Sequence, residues 1–224
     1  MKIQHLHDWD LTPKEAIAKQ KELASRLIDD TPLDLSTIRH VAGVDVSVKN
    51  GESQAAVVVI TYPELEPVEI VRAKQATSYP YIPGLLTFRE GPVLEEAFRK
   101  LTIEPDVFVF DGMGQIHPRH IGIAAHLGLW LDKPTIGCGK THFIGDYDAP
   151  DLKKGDYSAL TYKGQPLGVV LRTRAKVKPV YISVGHRADI DSAIKLIMSV
   201  TPKYRLPRPI RLAHNAAGEF KQET

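Results

Sequence analysis

Apolar positions along this chain switch between two periods. Residues 13–28 repeat with helical spacing, placing Ile17, Leu23, Ala24, Leu27 and Ile28 on one side. The preceding Thr12-Pro-Lys-Glu15 reads as a capping box with proline at the first helical position, and Asp30, Thr31, Pro32 and Asp34 break the pattern. Three apolar runs follow at close spacing, 41–48, 55–62 and 68–77. Lys49-Asn-Gly51 between the first two is a strong hairpin signal, so the three are expected as an antiparallel meander. Helix and strand then alternate: a helix over 88–101, its regular start set slightly later by Gly91-Pro92, a short apolar strand over 107–111 of the buried parallel type, a helix over 121–131 and a strand over 135–139. A meander followed by helix–strand–helix–strand predicts an α/β domain with a mixed sheet.

Beyond that point, 157–162 and 167–173 flank Lys163-Gly-Gln165 as a second hairpin, and 180–184 is a further strand. A helix over 189–200 would turn Ile190, Ala193, Ile194 and Ile197 inward. Pro202, Pro207 and Pro209 then interrupt, a short helix spans 210–220, and residues 221–224 are expected to fray. With no repeat, low-complexity tract or linker, residues 1–224 are expected to form a single domain. Its 224 residues can bury a core without staples. The single cysteine, Cys138, rules out an internal disulfide and fits a reducing compartment. Residues 1–10 lack an apolar core of signal-peptide length, and no stretch approaches a membrane span. A cytoplasmic chain with no membrane association is expected. The net charge of +2 gives no global basic field, so a nucleic-acid partner would need local patches.

Three acids change this picture. Asp45 lies inside the apolar run 41–48, Asp111 closes the run 106–111, and Glu90 stands near the start of a helix. A carboxylate in a buried strand is costly unless its charge is compensated. Two strand-borne aspartates and a helix-borne glutamate suit a hard cation, Mg²⁺ with Mn²⁺ as substitute. Asp111 and Lys140 follow the ends of two expected parallel strands, where sites gather. If those strands are neighbours, their side chains converge and Asp45 and Glu90 join them. This composition fits metal-assisted phosphodiester hydrolysis, with Lys140 adding positive charge where the transition state gains negative charge. Taken singly, such acids also occur as plain strand-end and helix-start residues.

Other motifs are weighed beside these. Pro134-Thr-Ile-Gly-Cys-Gly-Lys-Thr141 nearly spells a P-loop, but Pro134 replaces its first glycine and His142-Phe-Ile-Gly145 is not helix-like. Tyr79-Pro-Tyr-Ile-Pro-Gly84 is stiffened by two prolines. It reads either as a surface turn with its tyrosines packed back on the sheet, or as a rigid loop whose Tyr81 and Ile82 push between stacked bases. His117 is either a helix-entry residue or a group that shuttles a proton, orients water or binds phosphate. His214 alone reads as structural. Cys138, in an apolar strand, has no activating partner as a nucleophile.

Several blocks together resemble the endonuclease V family: Val41-Ala-Gly-Val-Asp45, Pro80-Tyr-Ile-Pro-Gly-Leu-Leu-Thr-Phe-Arg-Glu90-Gly-Pro92, Val109-Phe-Asp-Gly112, His117-Pro-Arg119, Gly122-Ile-Ala124 and Arg211-Leu-Ala-His214. The resemblance runs in order from about residue 9 to 215. It implies an RNase H-like fold and a Mg²⁺-supported endonuclease that recognises deaminated adenine (inosine) in DNA. Such an enzyme cuts the second phosphodiester 3′ to the lesion and leaves the base in place. By position, Asp45, Glu90 and Asp111 would bind metal, with His214 near a second metal position. Lys140 would assist at the scissile phosphate, and His117 would lie close to the reacting groups. Tyr81, within Pro80-Tyr-Ile82-Pro83, would be the wedge. Backbone around Gly84, Leu86, Gly112 and Ile123 would line the pocket for the flipped base. Arg89, Arg119 and Lys140 are candidates for phosphate contacts. The stretches 113–116 and 137–139 depart from the family's side chains. Inosine-containing RNA is an alternative substrate, a non-cleaving module for damaged nucleic acid is a second alternative, and a monomer is expected.

Overall fold

The computed structural model describes residues 1–218; the expected helix end at 219–220 and the tail 221–224 lie outside them. The elements in chain order are α1 (Pro13–Ala24), β1 (His40–Lys49), β2 (Glu52–Thr61), β3 (Pro67–Ala76), α2 (Leu86–Arg99), β4 (Val107–Phe110), α3 (Ile123–Leu131), β5 (Thr135–Gly139), β6 (Tyr157–Tyr162), β7 (Gln165–Leu171), β8 (Val180–His186), α4 (Ile190–Ser199) and α5 (Arg208–Gly218). The strands form one mixed sheet in the order β3-β2-β1-β4-β5-β8-β7-β6. Both hairpin signals hold: Asn50 and Gly51, and Lys163 and Gly164, all take positive φ, as a two-residue turn of this kind requires. The first gives the antiparallel β1–β2–β3 meander, while β1, β4 and β5 run parallel. Beyond β5 the sheet turns antiparallel again through β8, β7 and β6.

The period-two alternation of the central strands sorts their side chains onto two faces. Val41, Val107, Val109, Ile136 and Cys138 pack with α4 and α5. Ala42, Val44, Phe108 and Phe110 pack instead with α2 and α3. Both faces of the central strands are therefore covered, which explains their near-continuous apolar runs.

Element boundaries differ from the sequence-based expectation at several points, three of which have a clear physical cause. α1 stops at Ala24 instead of 28. Ile28 has left the helix to bond outside it: its N–H donates to His186 Nδ1 at 3.3 Å and its carbonyl accepts from Arg187 N at 2.6 Å. α2 begins at Leu86 and carries Pro92 inside it. Thr87, Phe88 and Gly91 are buried there, and Gly91 faces the Trp9 ring so closely that a side chain at 91 would collide with it. Packing thus overrides the local helix-breaking tendency. β7 ends at Leu171 because Arg172 and Thr173 turn to carbonyls, Arg172 Nε to Asp151 O at 2.8 Å and Thr173 Oγ1 to Arg205 O at 2.5 Å. Among the described residues no helix is long and apolar enough to cross a membrane.

Candidate active site

The alternation that builds the core also aims the acids. Continuing the series 41, 43 and 107, 109 brings Asp45 and Asp111 to the face that carries α5. The register Val44↔Phe110 makes them neighbours across β1 and β4. β5 lies beside β4, so Lys140, just past its end, meets Asp111 and pairs with it. From the other side α5 delivers His214, whose Nδ1 lies 2.7 Å from Asp45 Oδ2. That approach depends on Gly43, where a Cβ would run into the backbone of Pro209 and Ile210. Ligand atoms of Asp45, Asp111 and His214 all lie within 4.8 Å of one another. The side chains of Asp45 and Asp111 are only 10% and 9% exposed, whereas His214 is 61% exposed.

This cluster is electrostatically crowded. Burial, then the charge of Asp111, pushes Asp45 up to about 6 against the pull of His214 and Lys140. Glu90 in α2 stands outside the 4.8 Å group but within reach of its field. Enclosure by protein, then the charge of Asp45, pushes it up to about 8, with Asp111 adding to the rise and Arg89 opposing it. Carboxylates raised by burial and by one another are the environment a cation relieves. Oxygen-rich donors with one imidazole make this a possible acidic metal site. Because an ionised carboxylate can only accept, the Asp45 bond places a proton on His214 Nδ1.

Asp111 and Lys140 also line a cleft of about 310 Å³. All four expected pocket residues, Gly84, Leu86, Gly112 and Ile123, line it, as do Tyr81, Ile82, Pro83 and His117. Pro80 is exposed beside the lining. The two tyrosines of the Tyr79–Gly84 turn differ in exposure. Tyr79 is 8% exposed and packs on Phe88, while Tyr81, at 69%, is the most exposed large apolar side chain among the described residues. The turn is held from below. Gly84 takes φ +81°, and its carbonyl accepts from Gln20 Nε2 at 3.0 Å, His117 Nε2 at 3.0 Å and Arg119 Nη2 at 2.7 Å. Arg119 Nε also donates to Gln20 Oε1 at 2.6 Å, and Arg89 Nη1 donates to Tyr79 O at 2.8 Å.

His117 is buried, and burial, then the Arg119 charge, pushes it down to about 4. Its Nδ1 accepts from Arg119 N at 3.2 Å, so the neutral ring carries its proton on Nε2, toward Gly84. Arg89, Arg119 and His117 thus serve the turn in this structure, and Lys140 serves Asp111. The near P-loop is not one: no helix follows Thr141, and burial pushes the Cys138 thiol up, away from reactivity.

The family model for Endonuclease V matches residues 21–215. The chain belongs to the endonuclease V family. It is 47% identical over 222 residues to the Endonuclease V of Dehalococcoides mccartyi, covering 98% of this chain and 99% of that one. The crystal structure of the Bacillus subtilis endonuclease V superposes with a TM-score of 0.92 at 35% identity, covering 97% and 96% of the two chains. The fold is therefore RNase H-like and the protein is a nuclease. Endonuclease V of Ciona intestinalis, at 28% identity and a TM-score of 0.78 over 92% of this chain and 96% of that one, was solved with a 24mer DNA containing an inosine followed by a ribo-adenosine.

Within this family member, some contributors escaped the sequence reading. Gln20 lies sixty-four residues before the carbonyl it supports, and nothing in its helical context marks it. Gly43 was visible within Val41-Ala-Gly-Val-Asp45, but its role in admitting α5 needs the tertiary contact. Phe143 and His142 complete the cleft from the loop after β5. The two departures from the family's side chains meet each other, since Met113 fills the space a side chain at Gly139 would occupy.

Proposed function

We propose that this protein is a Mg²⁺-dependent endonuclease that recognises inosine in DNA and hydrolyses the second phosphodiester 3′ to it. One observation carries the reading. Two enclosed, mutually repelling carboxylates, Asp45 and Asp111, grouped with His214 and within the field of Glu90, share Asp111 and its partner Lys140 with a cleft that an exposed tyrosine also lines. Asp45 and Asp111 would hold the ion, with His214 beside them and Glu90 completing the negative charge around it. Mn²⁺ would substitute, being equally suited to oxygen donors. When bound, a divalent ion lowers the pKa of a water and stabilises negative charge on the phosphate oxygens.

The chain's own residues do the rest. His214 Nδ1 fixes Asp45, and Lys140 fixes Asp111 while adding positive charge beside the phosphate. Tyr81 enters the stack on a turn that Gln20, His117 and Arg119 hold rigid, so little order need be acquired on binding. The displaced base lies against Leu86 and Ile123 and the backbone of Gly84 and Gly112. A weakly paired inosine is extruded more easily than adenine, which supplies part of the selection. His117, neutral and bonded through both nitrogens, orients the turn and is not free to relay a proton.

A second reading, cleavage of inosine-containing RNA, is favoured by the ribo-adenosine that follows the inosine in the Ciona complex. The two differ in fit around the 2′-hydroxyl. Matched inosine and adenine strands in DNA and RNA, with and without Mg²⁺, decide between them. Nicking of the inosine DNA strand alone, at the second 3′ phosphodiester and only with Mg²⁺, is expected. Preference for RNA would transfer the proposal to the second reading, and no metal-dependent nick in either would reject both.

A further inference from the structure

The acidic cluster contributes to two cavities with no lining residue in common. Asp111 lines the cleft described above, and His214 lines a second one of about 310 Å³. Tyr204, Arg205, Arg211 and Asn215 line that second cavity too, and it adjoins a groove of about 400 Å³ lined by Lys203. Arg211 and His214 are three residues apart in α5 and so share a face. The Arg211 guanidinium carbon lies 3.5 Å from the Tyr204 ring centroid, and Lys203 approaches the same ring at 5.7 Å. Among the described residues no carboxylate pairs with Arg211 or Lys203, whereas Arg208 beside them pairs with Glu66 at 3.2 Å.

The groove is anchored to the cluster. Arg205 Nη2 donates to Lys140 O at 2.6 Å and to Pro179 O at 2.7 Å, and its Nε donates to Lys178 O at 2.8 Å. Residue 205 thereby ties the segment bearing Tyr204 to the end of β5, beside the lysine that pairs with Asp111. A guanidinium stacked on an aromatic ring keeps its in-plane donors free and loses little rotamer freedom on binding, which suits it to phosphate.

We infer that this groove binds the backbone of the nucleic-acid strand on the 3′ side of the scissile phosphate, with Arg211, oriented by Tyr204, as its principal phosphate contact. The inference rests on the function proposed above, in which the base occupies one cavity and the scissile phosphate the cluster. A strand continuing past the cluster then enters the cavity lined by His214 and Arg211.

The test uses inosine DNA strands that share everything 5′ of the scissile bond. One ends a nucleotide past it, and the other extends about six nucleotides further, within the usual reach of a single-strand groove. Binding is measured by fluorescence anisotropy, with Ca²⁺ replacing Mg²⁺ to suppress cleavage. Extension should tighten binding by wild-type protein about tenfold, within the range of one or two charge-assisted contacts. Arg211→Gln should lose most of that gain and lower the salt slope for the long strand by about 0.7, the single-strand value for one phosphate. Arg211→Lys should keep most of the slope, which separates a lost charge from a damaged fold. An equal gain from extension in wild type and Arg211→Gln, or no gain in wild type, would overturn the inference. Comparing short inosine and adenine strands reads the underlying function separately, because that preference does not depend on the groove.

Discussion

At Gly84 a single carbonyl receives three donors, whereas across the cleft Asp45 and Glu90 must hold their charges against burial and against one another. The Gly84 carbonyl is satisfied by the protein alone. Gln20, His117 and Arg119 have their partners, and the Tyr81 side chain is left exposed. The cluster is not satisfied: Lys140 and His214 offset part of its negative charge, and Asp45 remains at about 6 and Glu90 at about 8. One region is finished before any ligand arrives; the other is completed by one. Rigid support for the base and a charge deficit for a cation are what base extrusion and phosphodiester cleavage respectively require.

Breaking the cluster should have the largest effect. Asp111→Asn should reduce cleavage of inosine DNA on the order of 10³-fold or more, as expected when a charge that acts in the transition state is removed. Its folding should be retained, because Asp111 lies just past the C-terminal end of β4, outside the apolar core. Single-turnover nicking beside a thermal melt checks both, and normal turnover with Mg²⁺ would take Asp111 out of the site.

Breaking the turn should cost less and act on selectivity. Tyr81→Ala should lower the ratio of kcat/KM for inosine over adenine by about tenfold, the worth of one aromatic stack. An unchanged ratio would leave the wedge without support.

The smallest effect sharpens the comparison through pH. His117 titrates near 4 in the folded chain and near 6.5 unfolded. Below pH 6.5 the unfolded state takes up the proton first, so its contribution to stability is complete above 6.5 and falls away as the pH drops to 4. The gap is worth about 3 kcal/mol at most. His7, His126 and His186 are lowered too and act in the same direction. His117→Gln, which keeps a donor for Gly84, should therefore flatten the loss without abolishing it. Urea unfolding at pH 7 and 4.5 measures the difference, and identical losses in both proteins would show that His117 is not the buried neutral ring described above.

What could be read from the chain was what depends on period and local chemistry. Asn50-Gly51 and Lys163-Gly164 marked their hairpins, and the apolar runs holding Asp45 and Asp111 marked the strands that carry them. What could not be read depends on contacts distant in sequence. Pro92 sits inside α2 because Trp9 packs on Gly91. α1 ends early because residues 186 and 187 engage Ile28. Gln20 matters only once α1 lies beneath the 79–84 turn. The antiparallel extension β8-β7-β6 likewise has no local signal for its place beside β5. His214 looked structural in isolation; its meeting with Asp45 comes from α5 crossing β1 at Gly43.

The central claim is that the crowded acids form a divalent-cation site. Isothermal titration of metal-free protein with Mg²⁺ tests it most directly, run in parallel on wild type and Asp111→Asn at pH 7.5. Saturable binding by wild type that disappears in Asp111→Asn is the predicted result. Equal binding by both proteins, or none by wild type, would contradict the account.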